Sequence, residues 1–194
     1  VAINGPSPGV GPPDSRIARD PDVIGDEDSV VKVLGTACGL GVEGSGWVAA
    51  PGLVVTNAHV IAGEEDTTVT PSGGSALDAT AVHFDSTNDL ALLRVGSLDS
   101  PALRLVPDPS SGTPGAVLGY PENGPFTISP ARLGPTATVI SEDAYGRGPV
   151  TRRMTALRGE IHSGNSGGPM VDGAGDVLTT VFAATTEGKP SGFG

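Results

Sequence analysis

Three short segments hold residue types that together can do nucleophilic chemistry. They are Thr56-Asn57-Ala58-His59-Val60, Asn88-Asp89-Leu90-Ala91-Leu92-Leu93 and Gly164-Asn165-Ser166-Gly167-Gly168-Pro169. They supply His59, Asp89 and Ser166 in that chain order, at separations of 30 and 77 residues. A serine hydroxyl is a weak nucleophile at neutral pH and needs a base beside it. Histidine titrates near neutrality, so it can take that proton during attack and return it to a leaving amine. A carboxylate behind the imidazole fixes its tautomer and stabilises the imidazolium. The glycines around Ser166 suit the same chemistry. A tight turn there can aim the backbone N–H groups of Gly164 and Ser166 at one point, and one such donor to an oxyanion lowers a barrier by roughly 3–4 kcal/mol. Glycine also tolerates the backbone angles of such a turn. Each residue alone is weak evidence, since a lone His is more often structural and Asp89 could serve a turn. Their joint occurrence in one order points to a Ser-His-Asp hydrolase.

Strands must position these groups. The chain has 194 residues, with 30 Gly and 18 Pro. That share of helix-weakening residues disfavours a helical bundle. Short apolar runs between turn residues read instead as an all-β sandwich or barrel. Val31 and Val33 alternate with polar or small neighbours. Gly44-Ser45-Gly46 reads as a turn entering a strand at Trp47-Val48-Ala49, and Leu53–Thr56 and Leu90–Val95 follow. A second series runs from Ala116 to Ala184. Between the two lies a Ser/Pro/Asp-rich stretch over 96–112, so the expected division is a β unit over 29–105 and another over 106–194. Residues 1–28 differ: five prolines, four glycines, six acids and no aromatic residue give little apolar surface to offset the entropy of ordering. They read as an extended linker.

The segments Asn-Ala-His-Val, Asn-Asp-Leu-Ala-Leu-Leu and Gly-Asn-Ser-Gly-Gly-Pro resemble the signatures of chymotrypsin-like serine proteases. The spacing is similar to compact bacterial members such as the HtrA group. The run from Tyr145 to Met170 resembles the membrane-anchored periplasmic acid-resistance proteases of mycobacteria and other actinobacteria. The resemblance covers about residues 29–194. It implies two six-stranded antiparallel β-barrels, with His59 and Asp89 on the first, Ser166 on the second, and the site in the cleft between them. It also implies a peptide or protein substrate and no cofactor. The implied setting is periplasmic or extracytoplasmic, with membrane anchoring through an upstream region and the acidic arm as tether. Self-cleavage within 1–28 is a further expectation. Only 28 residues follow Ser166, so the second barrel is expected to be truncated, with Gly192-Phe193-Gly194 opening its last strand. In the resembling group a disulfide joins a Cys near Cys38 to the C-terminal region, so Cys38 is expected to pair with a partner outside this chain. The competing readings are an HtrA-like protease-chaperone and a latent or non-enzymatic binding module on the same fold.

Specificity rests on less. Glu160, six residues before Ser166, occupies a position that often lies at the base of the primary pocket in this family, where a carboxylate suits a basic side chain. It could equally pair with Arg158 or face solvent. Val181–Thr185, with Ala183, Ala184 and Thr185 at its end, is expected to form the strand edge that pairs with substrate backbone. His83 reads as a strand or loop residue, His162 as a loop residue near the cleft, Trp47 as core, and Asp26-Glu27-Asp28 as a solvated face. The charge, 11 basic against 22 acidic residues, argues against nucleic-acid binding. Three dispersed His and one Cys offer no metal-ligand spacing. No apolar run reaches the roughly 18 residues of a membrane span. The residues from Val1 onward have no charged n-region and no apolar h-region, so they are not expected to be a signal peptide, and any targeting segment is expected upstream.

Overall fold

The computed structural model describes residues 6–37, 39–184 and 190–194. Cys38, residues 1–5 and Thr185 lie outside that set. The first sheet comprises β1 (Val30–Ala37), β2 (Leu40–Ala50), β3 (Leu53–Thr56), β4 (Thr68–Pro71), β5 (Leu77–Asp78), β6 (Thr80–Asp85) and β7 (Leu90–Arg94). The second comprises β8 (Pro114–Gly119), β9 (Thr127–Ser141), β10 (Val150–Gly159), β11 (Pro169–Val171), β12 (Val177–Thr180), β13 (Ala183–Ala184) and β14 (Ser191–Phe193). The strand orders are β5-β4-β1-β2-β3-β7-β6 and β12-β11-β8-β9-β10-β14-β13, and every pairing within them is antiparallel. These are the two curled sheets of a chymotrypsin-like fold. Each has seven strands rather than six, because the short β5 and β13 add an edge to each sheet.

Alternation buries one face of each sheet. Val31, Val33, Val48, Val54, Val69, Ala91 and Leu93 close the first core. Val117, Ala131, Leu133, Leu157, Met170 and Leu178 close most of the second. A third cluster joins the two: Val30, Trp47 and Val55 from the first sheet meet Ala116, Leu118, Tyr120, Val171 and Val177 from the second. Trp47 also donates its indole N–H to Thr180 Oγ1 at 3.0 Å, a bond between the sheets. This packing fixes the cleft.

Two expectations fail here. Gly44-Ser45-Gly46 is not a turn but the buried middle of β2. Its glycines serve close approach: a Cβ on Gly44 would come within 2.7 Å of Val60 and 3.0 Å of the Ser166 carbonyl. The extended linker is also corrected. Residues Ser15–Arg19 and Asp26–Ser29 form 3-10 turns around a short helix, α1 (Pro21–Gly25). Asp14 caps the turn at Ser15–Arg19 and Asp20 caps α1, each accepting a backbone N–H from two residues on. Ile17 and Val23 then enter the inter-sheet cluster. Two anchored apolar side chains and two caps hold a segment whose composition alone predicts disorder. Arg132 Nε on the Pro12 carbonyl, at 2.9 Å, holds the chain ahead of it.

The acidic run is likewise not a free face. Glu27 accepts from Ser72 Oγ at 2.7 Å. Asp26 Oδ2 is buried without a hydrogen-bond partner, against the turn at Gly175. Burial, then the charges of Asp22, Asp176 and Asp172, push its carboxyl up to about 7 from the usual 3.8. The folded chain therefore holds a proton that the unfolded chain has released, and stability falls as pH rises between those two values. Asp26→Asn is expected to melt above the parent protein at pH 8, with the gap closing by about pH 4. Melting curves at the two pH values check this, and an equal gap at both would contradict it.

Candidate active site

His59 follows β3, in the turn that leads away from Thr56, and Asp89 immediately precedes β7, the neighbour of β3. Pairing of Thr56 with Ala91 thus brings the two residues together. Asp89 adopts φ 57°, a left-handed conformation that Asp tolerates better than most residues. Asn57 Nδ2 holds that backbone by donating to the Asp89 carbonyl at 2.9 Å. The Asp89 carboxylate faces His59 with both oxygens: Oδ1 accepts the His59 backbone N–H at 2.8 Å, and Oδ2 lies 2.7 Å from Nδ1. The side chain of Asp89 is 5% exposed and that of His59 35%. The carboxylate is therefore sealed while the imidazole keeps an open side.

Ser166 lies in the turn between β10 and β11 on the second sheet. Ser45, in β2 of the first sheet, carries that turn. Its N–H donates to the Ser166 carbonyl at 2.8 Å. Its Oγ donates to the Gly164 carbonyl at 2.7 Å and accepts from Tyr120 N at 2.9 Å. Thr56 Oγ1 donates in turn to the Ser45 carbonyl at 2.7 Å. Gly164 and Gly167 have φ of 88° and 85°, and a Cβ on Gly167 would strike the Ser45 carbonyl and Thr56. Glycine is required there by conformation and by space. The N–H groups of Asn165, Gly167 and Gly168 bond inside the chain. Those of Gly164 and Ser166 do not, among the described residues, so they are free to act as donors. The Ser166 hydroxyl donates to the Phe182 carbonyl at 3.3 Å rather than to His59.

Phe182 leads into β13, the outermost strand of the second sheet, and among the described residues β13 pairs on one side only, with β14. Ala183 therefore presents an unpaired strand edge beside Ser166, as does the backbone of Ala184; Thr185 falls outside the described residues. Glu160 stands exposed just beyond β10 with no ion-pair partner among the described residues. It lines a cavity of about 470 Å³ with Ile128, Ser129, Pro130 and Pro190, and none of His59, Asp89, Ser166 or Ala183 is in that wall. Ile161, the next residue, packs its side chain against Gly192 instead. Arg158 donates to the Val10 carbonyl. His162 is exposed, with its N–H on Asn165 Oδ1 at 2.9 Å, and His83 is an exposed residue of β6.

Ser45, Thr56 and Asn57 are site-supporting residues with no chemical signature in the sequence. Asn57 lies two residues before His59, and that proximity is the signal that could have found it. Arg152 and Phe182 also border the site without having been singled out.

A model of the trypsin-like peptidase domain matches residues 44–178. The serine protease Rv3671c of Mycobacterium tuberculosis is 39% identical over 95% of this chain, which spans 47% of that relative. The chain thus spans about half the length of this curated relative. The crystal structure of the Rv3671c protease in its active form matches with a TM-score of 0.91 at 38% identity, over 98% of this chain and 86% of that one. Its inactive form matches at 0.84, over 95% and 91%.

Proposed function

The chain belongs to the trypsin-like peptidase family, and from that membership we propose that it is a serine endopeptidase domain that cleaves peptide bonds through an acyl-enzyme on Ser166. The observation that carries this reading is the His59–Asp89 pair, held by two hydrogen bonds, together with a nucleophile turn whose Gly164 and Ser166 N–H groups meet no acceptor among the described residues. In the proposed cycle the Ser166 hydroxyl turns from the Phe182 carbonyl toward the imidazole, a step between staggered rotamers. His59 takes its proton as Oγ attacks the substrate carbonyl, and Asp89 balances the imidazolium. The two N–H groups receive the oxyanion. His59 then protonates the leaving amine, and water repeats the attack on the acyl-enzyme. The unpaired edge of β13 would hold the substrate backbone as an added strand.

Incubation with a denatured protein substrate tests this. Mass spectrometry is expected to find new internal termini with the wild type and none with Ser166→Ala. The same samples read out self-cleavage, which belongs to the proposal: new N-termini within 1–28 of the wild type alone. An extracytoplasmic role in envelope stress or acid resistance, anchored through sequence outside this chain, is part of the proposal on the strength of the resemblance carried by the run from Tyr145 to Met170. The cavity that Glu160 lines holds no residue of the triad, so a preference for Lys or Arg before the scissile bond is left to a peptide-library profile and is not built into the proposed cycle.

A further inference from the structure

Arg152 carries a charge that the cycle above does not use. It sits in β10 with 8% of its surface exposed. Its Nε and Nη1 are sealed from solvent and meet no acceptor. No carboxylate forms an ion pair with it among the described residues. The guanidinium instead lies over the Phe182 ring, with Cζ 4.5 Å from the centroid. A cation–π contact offsets only part of the cost of burying an unpaired charge. Burial accordingly pulls the guanidinium below its usual range, opposed by the charges of Asp89 and Asp143. Both of those carboxylates are already engaged. Asp89 holds His59 with both oxygens, and Asp143 Oδ1 accepts the N–H groups of Tyr145 and Arg147. Two donors of the planar fork that matches a carboxylate, Nε and Nη1, are thus left without an acceptor.

Its place in the cleft says what would supply one. Phe182, on which Arg152 stacks, is the residue whose carbonyl accepts from Ser166, and it leads into the edge strand β13. On the other side, the β9–β10 loop crosses to the first sheet, with Ala144 N on the Ser86 carbonyl at 2.8 Å and Tyr145 against Phe84. The guanidinium thus lies in the wall where the two sheets meet, on the β13 side of the nucleophile. The stacking on Phe182, and the open edge of β13 that follows it, put the guanidinium beside the strand proposed to hold the substrate backbone ahead of the scissile bond.

We propose that Arg152 is an acidic-side-chain subsite of the cleft, taking the carboxylate of a Glu or Asp that lies two to four residues before the scissile bond. The assignment rests on the endopeptidase reading. Fluorogenic peptides that differ only by Glu or Gln at each of those positions test it, with fluorophosphonate labelling of Ser166 run on the same preparations. At one position the wild type is expected to cleave the Glu peptide about ten- to a hundredfold faster in kcat/KM, the range of a charge-assisted hydrogen bond. Arg152→Met brings that ratio to about one while still cleaving the Gln peptide and labelling on Ser166. Arg152→Lys retains part of the preference. A wild-type ratio near one at every position overturns the subsite without any variant, whether or not Arg152→Met folds. An equal loss on Glu and Gln peptides also overturns it, and assigns Arg152 to supporting Asp89. A wild type that never labels overturns the endopeptidase reading instead, and the subsite with it.

Discussion

Replacing Ser166 by alanine is expected to lower kcat/KM for a cleaved peptide by about a millionfold, the scale on which nucleophile deletion acts in serine proteases. The loss is that large because base, orienter and oxyanion donors all act through the one oxygen being removed. The fold should not respond. Ser166 Oγ makes a single long bond, to the Phe182 carbonyl at 3.3 Å, and the turn is held by its backbone and by Ser45. The thermal midpoint is therefore expected to stay close to that of the parent. Steady-state kinetics beside a melting curve checks both halves. A residual rate above about one hundredth of wild type would mean that another group is the nucleophile.

Asp89→Asn is expected to cost about ten-thousandfold in kcat, with little change in structure. The left-handed backbone at residue 89 suits Asn as well as Asp. An amide can still accept the His59 backbone N–H through its oxygen. Its NH2 then faces Nδ1 where a carboxylate oxygen stood at 2.7 Å. A donor there forces the proton onto Nε2, the nitrogen that must accept from Ser166, so the base is lost with its ring still in place. Peptide hydrolysis by the purified variant measures this, and a loss under tenfold would remove Asp89 from the orienting role.

How much of this was legible in the sequence depended on the range of the signal. His59, Asp89 and Ser166 could be read because each sits in a contiguous segment whose neighbours share its task. The all-β character could be read from short apolar runs such as Leu53–Thr56 and Leu90–Arg94, which become adjacent strands. Ser45 could not. Flanked by glycines it resembles a turn, and its role rests on contacts with Gly164 and Tyr120, 119 and 75 residues away. Arg152 and Arg153 look alike in sequence, and only the alternation of β10 buries the first and exposes the second. The segment before Ser29 was misread on composition. Asp14 and Asp20 were usable cap signals, the latter before Pro21 at the first helical position. Their force depends on Ile17 and Val23 having a cluster to enter, which no local reading supplies.

In the proposed mechanism His59 makes Ser166 nucleophilic, and one labelling measurement meets that step directly. The domain is treated with a fluorophosphonate, and any adduct is located by peptide mass spectrometry in the wild type and in His59→Ala. An adduct is expected on Ser166 in the wild type and none in His59→Ala over the same time. Equal labelling of the two proteins, or an adduct on any other residue, would contradict it.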